Sequence, residues 1–357
     1  MSDEPSEPAP ETARRKGILA EWREAVTPHA FGLVVGVLLL QLAFILSYAG
    51  AFHNPKPHRM SIGVVVPAGA PADTARQTVT QLNAIKGEPL HASVVTDESA
   101  ARQGIKNRDL AGALILGTGK ADRLLVASAE GGSLSSALDS VLTAVDASQQ
   151  RTLAVDDIVP AAEGDARGLT AFYLAVGWVV GGYLVASILA ISAGALPSNV
   201  RRARVRLGAL LAYSIASGLG GALIVGPVLG ALDRSFWTLS GFGALIVFAV
   251  GAFTMAVQAL TGVVGIGIAV LLFVVLGNPS AGGAYPGPLL PGFWRAIGPL
   301  LPPGAGTSAV RGIVYFDNAG VGGPLLVVLI YAAAGAGALL AVSRWRKHPP
   351  EMAQSGG

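Results

Sequence analysis

The sequence predicts an α-helical polytopic membrane protein of six transmembrane helices, arranged one plus five. An α/β extracytoplasmic domain is expected between helices 1 and 2, and a re-entrant hairpin between helices 5 and 6. Three observations predict this. Hydrophobic residues make up 52% of the 357 residues and charged residues only 13%, and the mean hydropathy of +0.56 lies outside the soluble range. Six apolar stretches approach the roughly 20 residues needed to cross about 30 Å of hydrocarbon. Basic clusters flank those stretches in a pattern consistent with one orientation.

Residues 1–29 are expected to be a cytoplasmic tail. Their first dozen residues are acidic and proline-rich, a composition that buries no core. From Arg14 to Val26, Ile18, Leu19, Trp22, Ala25 and Val26 fall on one helical face, with Arg15, Lys16, Glu21, Arg23 and Glu24 mostly opposite. This reads as an interfacial helix on the inner leaflet or as juxtamembrane flank. Residues 30–51 form the first transmembrane region. Ala49, Gly50 and Ala51 resemble a signal-peptidase site, but the apolar run is long for a signal, so an uncleaved anchor is expected.

Residues 52–170 read as a water-soluble α/β domain. Apolar or β-branched runs at 61–66, 93–96, 112–116, 124–128 and 152–159 are candidate strands. Thr78, Val79, Leu82 and Ile85 recur at helical spacing; so do Leu134, Ala137, Leu138, Val141, Leu142 and Val145, with Ser133 as the expected N-cap. Gly117, Thr118, Gly119 and Lys120 superficially resemble a phosphate loop. Leu114 stands where its first glycine belongs and Ala121 where its Ser/Thr belongs, so the segment reads as a turn between strands. Eleven basic and thirteen acidic residues nearly balance in this domain, which marks no binder of polyanions or polycations.

Residues 171–343 form the five-helix membrane domain, with spans at 171–195, 207–232, 239–259, 262–277 and 323–342, the fourth of these being short. Small residues form close-approach faces: Gly177, Gly181 and Gly182; Ser214, Gly218 and Ala222; Ala332 and Ala336, with Ala334 and Ala338. They join spans of one chain or of two. Pro227 should kink its span. Arg14, Arg15, Lys16 and Arg23, then Arg201, Arg202, Arg204 and Arg206, then Arg344, Arg346 and Lys347 all fall on the cytoplasmic side by the positive-inside rule. Both termini, the second at 344–357, are then cytoplasmic, and residues 52–170 lie outside.

No Asp, Glu, Lys, Arg or His lies inside any proposed span. Ion-coupled carriers hold an ionisable group at depth, so uphill transport here would draw its energy from a partner. No cysteine, G-x-S-x-G or H-E-x-x-H occurs, and the five histidines are dispersed. The sequence therefore reads as a non-enzyme with no cofactor or metal. Its basic clusters abut spans and lack interleaved aromatics, which argues against nucleic acid and for membrane lipids.

Residues 278–318 are dense in proline and glycine, yet Leu289, Leu290, Phe293, Trp294, Ile297, Val310, Ile313 and Tyr315 are too apolar for a solvated loop. Irregular backbone at membrane depth needs protein or a water cavity to satisfy its polar groups. Two short helices, at about 292–300 and 307–315, form the expected re-entrant hairpin; a loop resting on the outer leaflet is the alternative.

The runs GNPSAGGAYP from Gly277, LLPGFWRAIGPLLPPGAG from Leu289 and RGIVYFDN from Arg311 resemble the membrane subunits of type 2 ABC transporters, in particular their phage-infection-protein (Pip-like) branch. Glu163, Gly164, Asp165, Ala166, Arg167 and Gly168 add to the likeness. The resemblance implies a bacterial plasma-membrane permease, most often a homodimer, that exports a substrate with a separate ATPase subunit. On that reading Tyr285, Pro291, Trp294, Arg295, Pro302, Pro303, Arg311, Tyr315 and Asp317 form an outer gate. Tyr285, Trp294 and Tyr315 would line or seal it, and Arg295, Arg311 and Asp317 would fix the hairpin. Arg201, Arg202, Arg204 and Arg206 would form the ATPase-contact loop. Some members of the branch are regarded as phage-entry factors or secretion components, so a non-transporting receptor or scaffold is the alternative.

Overall fold

The computed structural model describes residues 27–345, apart from Ala72 and the side chain of His29. The amphipathic stretch at 14–26, the first basic cluster, and Arg346 and Lys347 lie outside the described residues. Helix α1 (Pro28–Phe52) begins at Thr27, whose hydroxyl accepts from the Ala30 N–H, and Pro28 occupies the first turn, where no N–H is needed.

The domain that follows runs β1 (Met60–Val65), α2 (Thr74–Asn83), β2 (Leu90–Val94), α3 (Glu98–Lys106), β3 (Gly112–Ile115), β4 (Ala121–Val126), α4 (Gly132–Ser148) and β5 (Thr152–Asp157). Its five strands form one sheet in the order β2-β1-β3-β4-β5, antiparallel only between β3 and β4. Gly117–Lys120 is the turn of that hairpin. On one sheet face Met60, Ile62 and Val64 pack against Leu82 of α2 and Leu134, Leu138 and Leu142 of α4. On the other, Val65, Ala113 and Leu125 meet Ala101 and Ile105 of α3. Every predicted strand forms, within a few residues. Helix α3 was not predicted, because only Ala101 and Ile105 of its nine residues are buried. The expected N-cap at Ser133 is corrected. Gly131 caps α4 at φ +141°, and the Ser133 hydroxyl, inside the helix, instead donates to the Ala284 carbonyl at 2.7 Å.

Next come α5 (Thr170–Ala193), α6 (Val200–Leu223) and α7 (Phe236–Thr261). Helix α6 continues into a π turn, Ile224–Val228, around Pro227; the missing proline N–H breaks the regular ladder there. Helix α8 (Val264–Val270), a π turn at Leu271–Leu276 and α9 (Gly277–Ser280) follow, then α10 (Gly292–Ile297), a 3₁₀ turn (Gly298–Leu300), α11 (Pro302–Tyr315) and α12 (Gly322–Trp345).

Among the described residues, five helices are long and apolar enough to cross a membrane: Ala30–Phe52, Thr170–Ala193, Val200–Val228, Phe236–Thr261 and Gly322–Trp345. The fifth predicted span corresponds to a shorter apolar helix, Val264–Ser280, which at 1.5 Å per residue reaches only about 25 Å. Left-handed Gly262 (φ +67°) starts it late, and Gly282 (φ +72°) reverses the chain soon after it.

Helix α7 is central, with 67% of its apolar stretch buried, whereas only 6% of that of α1 is. Helices α5, α6 and α12 pack around α7. Glycines set the close approaches: a Cβ on Gly218 would lie 2.3 Å from the Ser240 carbonyl oxygen, and one on Gly335 2.3 Å from the Phe253 nitrogen. Gly182 likewise meets Val247, while Gly177 faces open space. The small-residue faces at Gly182, Gly218 and Ala332 are therefore contacts within this chain.

Candidate functional site at the junction of domain and bundle

Helix α1 leads into the sheet domain and α5 leaves it, so their adjoining ends mark the domain side of the bundle. The irregular segment after α9 lies there. Pro302 and Pro303 open α11 at positions where a helix has no intrahelical use for an N–H, and from Pro302 to Val314 only Ser308 escapes burial. Gly298 and Gly304 let this backbone close on itself, and a Cβ on Gly304 would lie 2.1 Å from the Gly298 carbonyl oxygen. Helix α11 packs on α5, α7 and α12.

Three polar clusters fasten this segment to the domain. Arg108, left-handed at φ +66° just beyond α3, forms a fork with both Glu130 carboxylate oxygens at 2.9 Å. The same guanidinium donates to the Ser308 carbonyl at 2.9 Å and to its hydroxyl at 3.1 Å, and sits 5.4 Å from the Phe316 ring centroid. Arg311 is 3% exposed and donates to the carbonyls of Gly282, Gly168 and Gly283 at 2.9, 3.3 and 3.4 Å. Tyr315 donates to Asp165 at 3.0 Å, and Asp165 also accepts from the backbone and hydroxyl of Thr170 at the start of α5. A buried guanidinium with only neutral carbonyl partners keeps its charge in a poorly solvated place, a costly arrangement that holds together only while the segment stays folded around it.

Between domain and segment lies a cavity of about 540 Å³, with Arg108, Glu130, Arg295, Ser308 and Arg311 in its lining. Its three arginines outnumber its one carboxylate, and apart from Ser61, Ser280 and Phe316, proline, glycine and aliphatic residues supply the rest. Such a space suits an anionic group carried on an apolar body.

The structure separates the residues expected at a gate. Arg295 and Arg311 line the cavity; Tyr285, Trp294 and Tyr315 do not. Trp294 leaves the cavity to pack on α1, where its indole N–H donates to Ser47 at 3.1 Å and its ring covers Gly50. Tyr285 meets Phe52 at a tilt of 45°, with ring centroids 5.8 Å apart. Pro291 precedes α10 as its N-cap. Asp317 is exposed at φ +47° and has no side-chain hydrogen bond among the described residues, so the expected polar fastening there is replaced by that of Arg108. At the opposite end of the bundle Arg201, Arg202 and Arg204 are exposed on the first turns of α6, whereas Arg206 turns back to the carbonyls of Ala193 and Gly194.

Sequence reasoning missed Arg108, Glu130 and Ser308. Their partners lie 22 and 200 residues apart along the chain, and no local spacing signals them. Compared with protein-family models, curated proteins and solved structures, the chain matches none.

Proposed function

We propose that this chain is the membrane permease subunit of an exporter powered by a separate ATPase, a type 2 ABC system of a bacterial plasma membrane. In this reading Val264–Ser280 is the sixth crossing, both termini are cytoplasmic, the sheet domain lies outside, and two copies assemble. The observation that carries the reading is the arginine-lined cavity held between the domain and the buried hairpin, at the mouth of a bundle whose apolar stretches, as read from the sequence, contain no Asp, Glu, Lys, Arg or His. A substrate would enter that mouth from the bundle and leave past the hairpin. The exposed Arg201, Arg202 and Arg204, at the far end, supply a surface for the ATPase.

The test is purification from the native membrane with mass spectrometry of what accompanies the chain. A stoichiometric ATPase should appear with the wild type and vanish when Arg201, Arg202 and Arg204 are all changed to Glu, while membrane insertion persists. The clamps at Arg108 and Arg311 favour a second reading, a receptor or scaffold whose domain is held rigidly over the membrane. That reading takes the place of the first when no ATPase is recovered and proteins from outside the membrane are.

A further inference from the structure

The sheet carries a second crevice, at the end of the domain away from the bundle. Strand β1 pairs in parallel with both β2 and β3. The chain leaving β1 turns one way, through α2 to β2, and the chain leaving β3 turns the other way, to β4. In open α/β sheets the gap outside the carboxyl ends of two such strands is the usual place for a ligand, because the diverging connections leave it empty. Here residues 67–71 of the β1 connection and 116–118 of the β3 connection border a crevice of about 760 Å³ closed on its other sides by α2 and the end of α4. That volume is of the size small-molecule sites have.

The chemistry of the walls narrows the ligand. Asp122 is buried and paired, since Arg151 donates to both its oxygens and the Gly117 N–H donates to it at 2.7 Å. Asp146, in the last turn of α4, is 3% exposed and lines the crevice, and its Oδ2 has no hydrogen-bond partner. A buried carboxylate oxygen without a donor is costly, and among the described residues only the nearby Arg151 charge eases it, while the hydrogen bonds of that guanidinium go to Asp122 and the Gly117 carbonyl. The other polar lining residues, among them Thr74, Thr78 and Gln81, are uncharged, and Pro71, Leu82, Leu116 and Val145 make the remainder apolar. One negatively charged acceptor without a hydrogen-bond donor therefore stands in a partly apolar crevice.

We propose that this crevice binds a small organic ammonium cation, whose N–H group supplies the donor that Asp146 lacks and whose hydrocarbon body packs against the proline and aliphatic walls. The site is independent of the export reading and faces away from the bundle, so it serves equally a regulated permease or a receptor.

The test uses the full chain in lipid nanodiscs and three probes of one shape: benzylammonium, benzyl alcohol and benzoate. Titrations followed by saturation-transfer-difference NMR, with empty nanodiscs subtracted, should give benzylammonium at least about a tenfold advantage over the alcohol, the difference one charge-assisted hydrogen bond makes. Benzoate should bind more weakly than either. Asp146→Asn should reduce the cation to the affinity of the alcohol and leave the alcohol unchanged. Ala70→Trp, on the β1 connection that borders the crevice, should remove all three. Absence of saturable benzylammonium binding, equal affinity for cation and alcohol, or undiminished binding in either variant would overturn the proposal.

Discussion

At the scale of single residues, burial decides which ion pairs matter. Arg108 and Glu130 have side chains 11% and 27% exposed, whereas Arg76 and Asp73 are 81% and 73% exposed at 3.8 Å. Arg108→Ala strands the Glu130 carboxylate and empties the Ser308 contacts, and should cost about 3 kcal/mol. Arg76→Ala should cost less than about 0.5 kcal/mol. Thermal melting of the two variants checks the contrast, and hydrogen exchange should quicken at α11 in the first alone. Asp146 has a different signature. Desolvation first, and the neighbouring Asp122 charge second, raise its pKa from 3.8 to about 6. Between those values the folded chain holds a proton that the unfolded chain has released, so this group's penalty is absent below about pH 4, grows between about pH 4 and 6, and is complete above that. Asp146→Asn should therefore be more stable than the wild type at pH 7.5, by up to about 3 kcal/mol, with a higher melting temperature, and equal it near pH 4. A variant that gains nothing at pH 7.5 would show the carboxylate to be solvated. None of these residues was legible in the sequence, where Asp146 is one acid among many, whereas Trp294, Arg311 and Tyr315 stood out because charged and aromatic groups are conspicuous in a proline-rich apolar run.

At the scale of elements, periodicity revealed what was buried along a whole face and missed what was buried at two points. Strands β1, β3 and β4 and helix α4 carry apolar patterns that are buried along a face; α3 buries only Ala101 and Ile105, and its one local sign is Asp97, whose carboxylate caps it by accepting from the Ala100 N–H at 2.8 Å. Glycine spacing in the spans was legible as close approach, but not which glycines touch. The contacts give a graded expectation. Gly218→Val and Gly335→Val would drive a side chain into the backbone of α7, where no rotamer change relieves the overlap, and each should lose at least about 2 kcal/mol. Gly177→Val enters open space and should behave like the wild type within one chain. Thermal stability of the purified variants in detergent, read by size-exclusion chromatography after heating, orders the three. A Gly177→Val loss as large as the others would place a second copy against that face of α5.

At the scale of the whole molecule, the path of the chain constrains the count of crossings more tightly than helix length does. Gly335 of α12 lies against Phe253 of α7, and Leu339 clusters with Ala256 and Ala259, so the two helices run in the same direction. Helix α7 starts on the domain side and ends on the far side; α12 starts again on the domain side. On the proposed topology the chain between them returns through Val264–Ser280, from Val263 beside the end of α7 to Gly277, which rests on Pro303 of the hairpin. Hydropathy alone left this segment ambiguous because its π turn and bounding glycines shorten it, and the hairpin that receives it supplies the remaining depth. Without any native cysteine, single substitutions report sidedness cleanly. Ala284→Cys should react with an impermeant maleimide in intact cells, and Val263→Cys only after the membrane is opened. Labelling of both from the same side would make Val264–Ser280 a re-entrant helix, reduce the crossings to five, and place the two ends of the chain on opposite sides of the membrane.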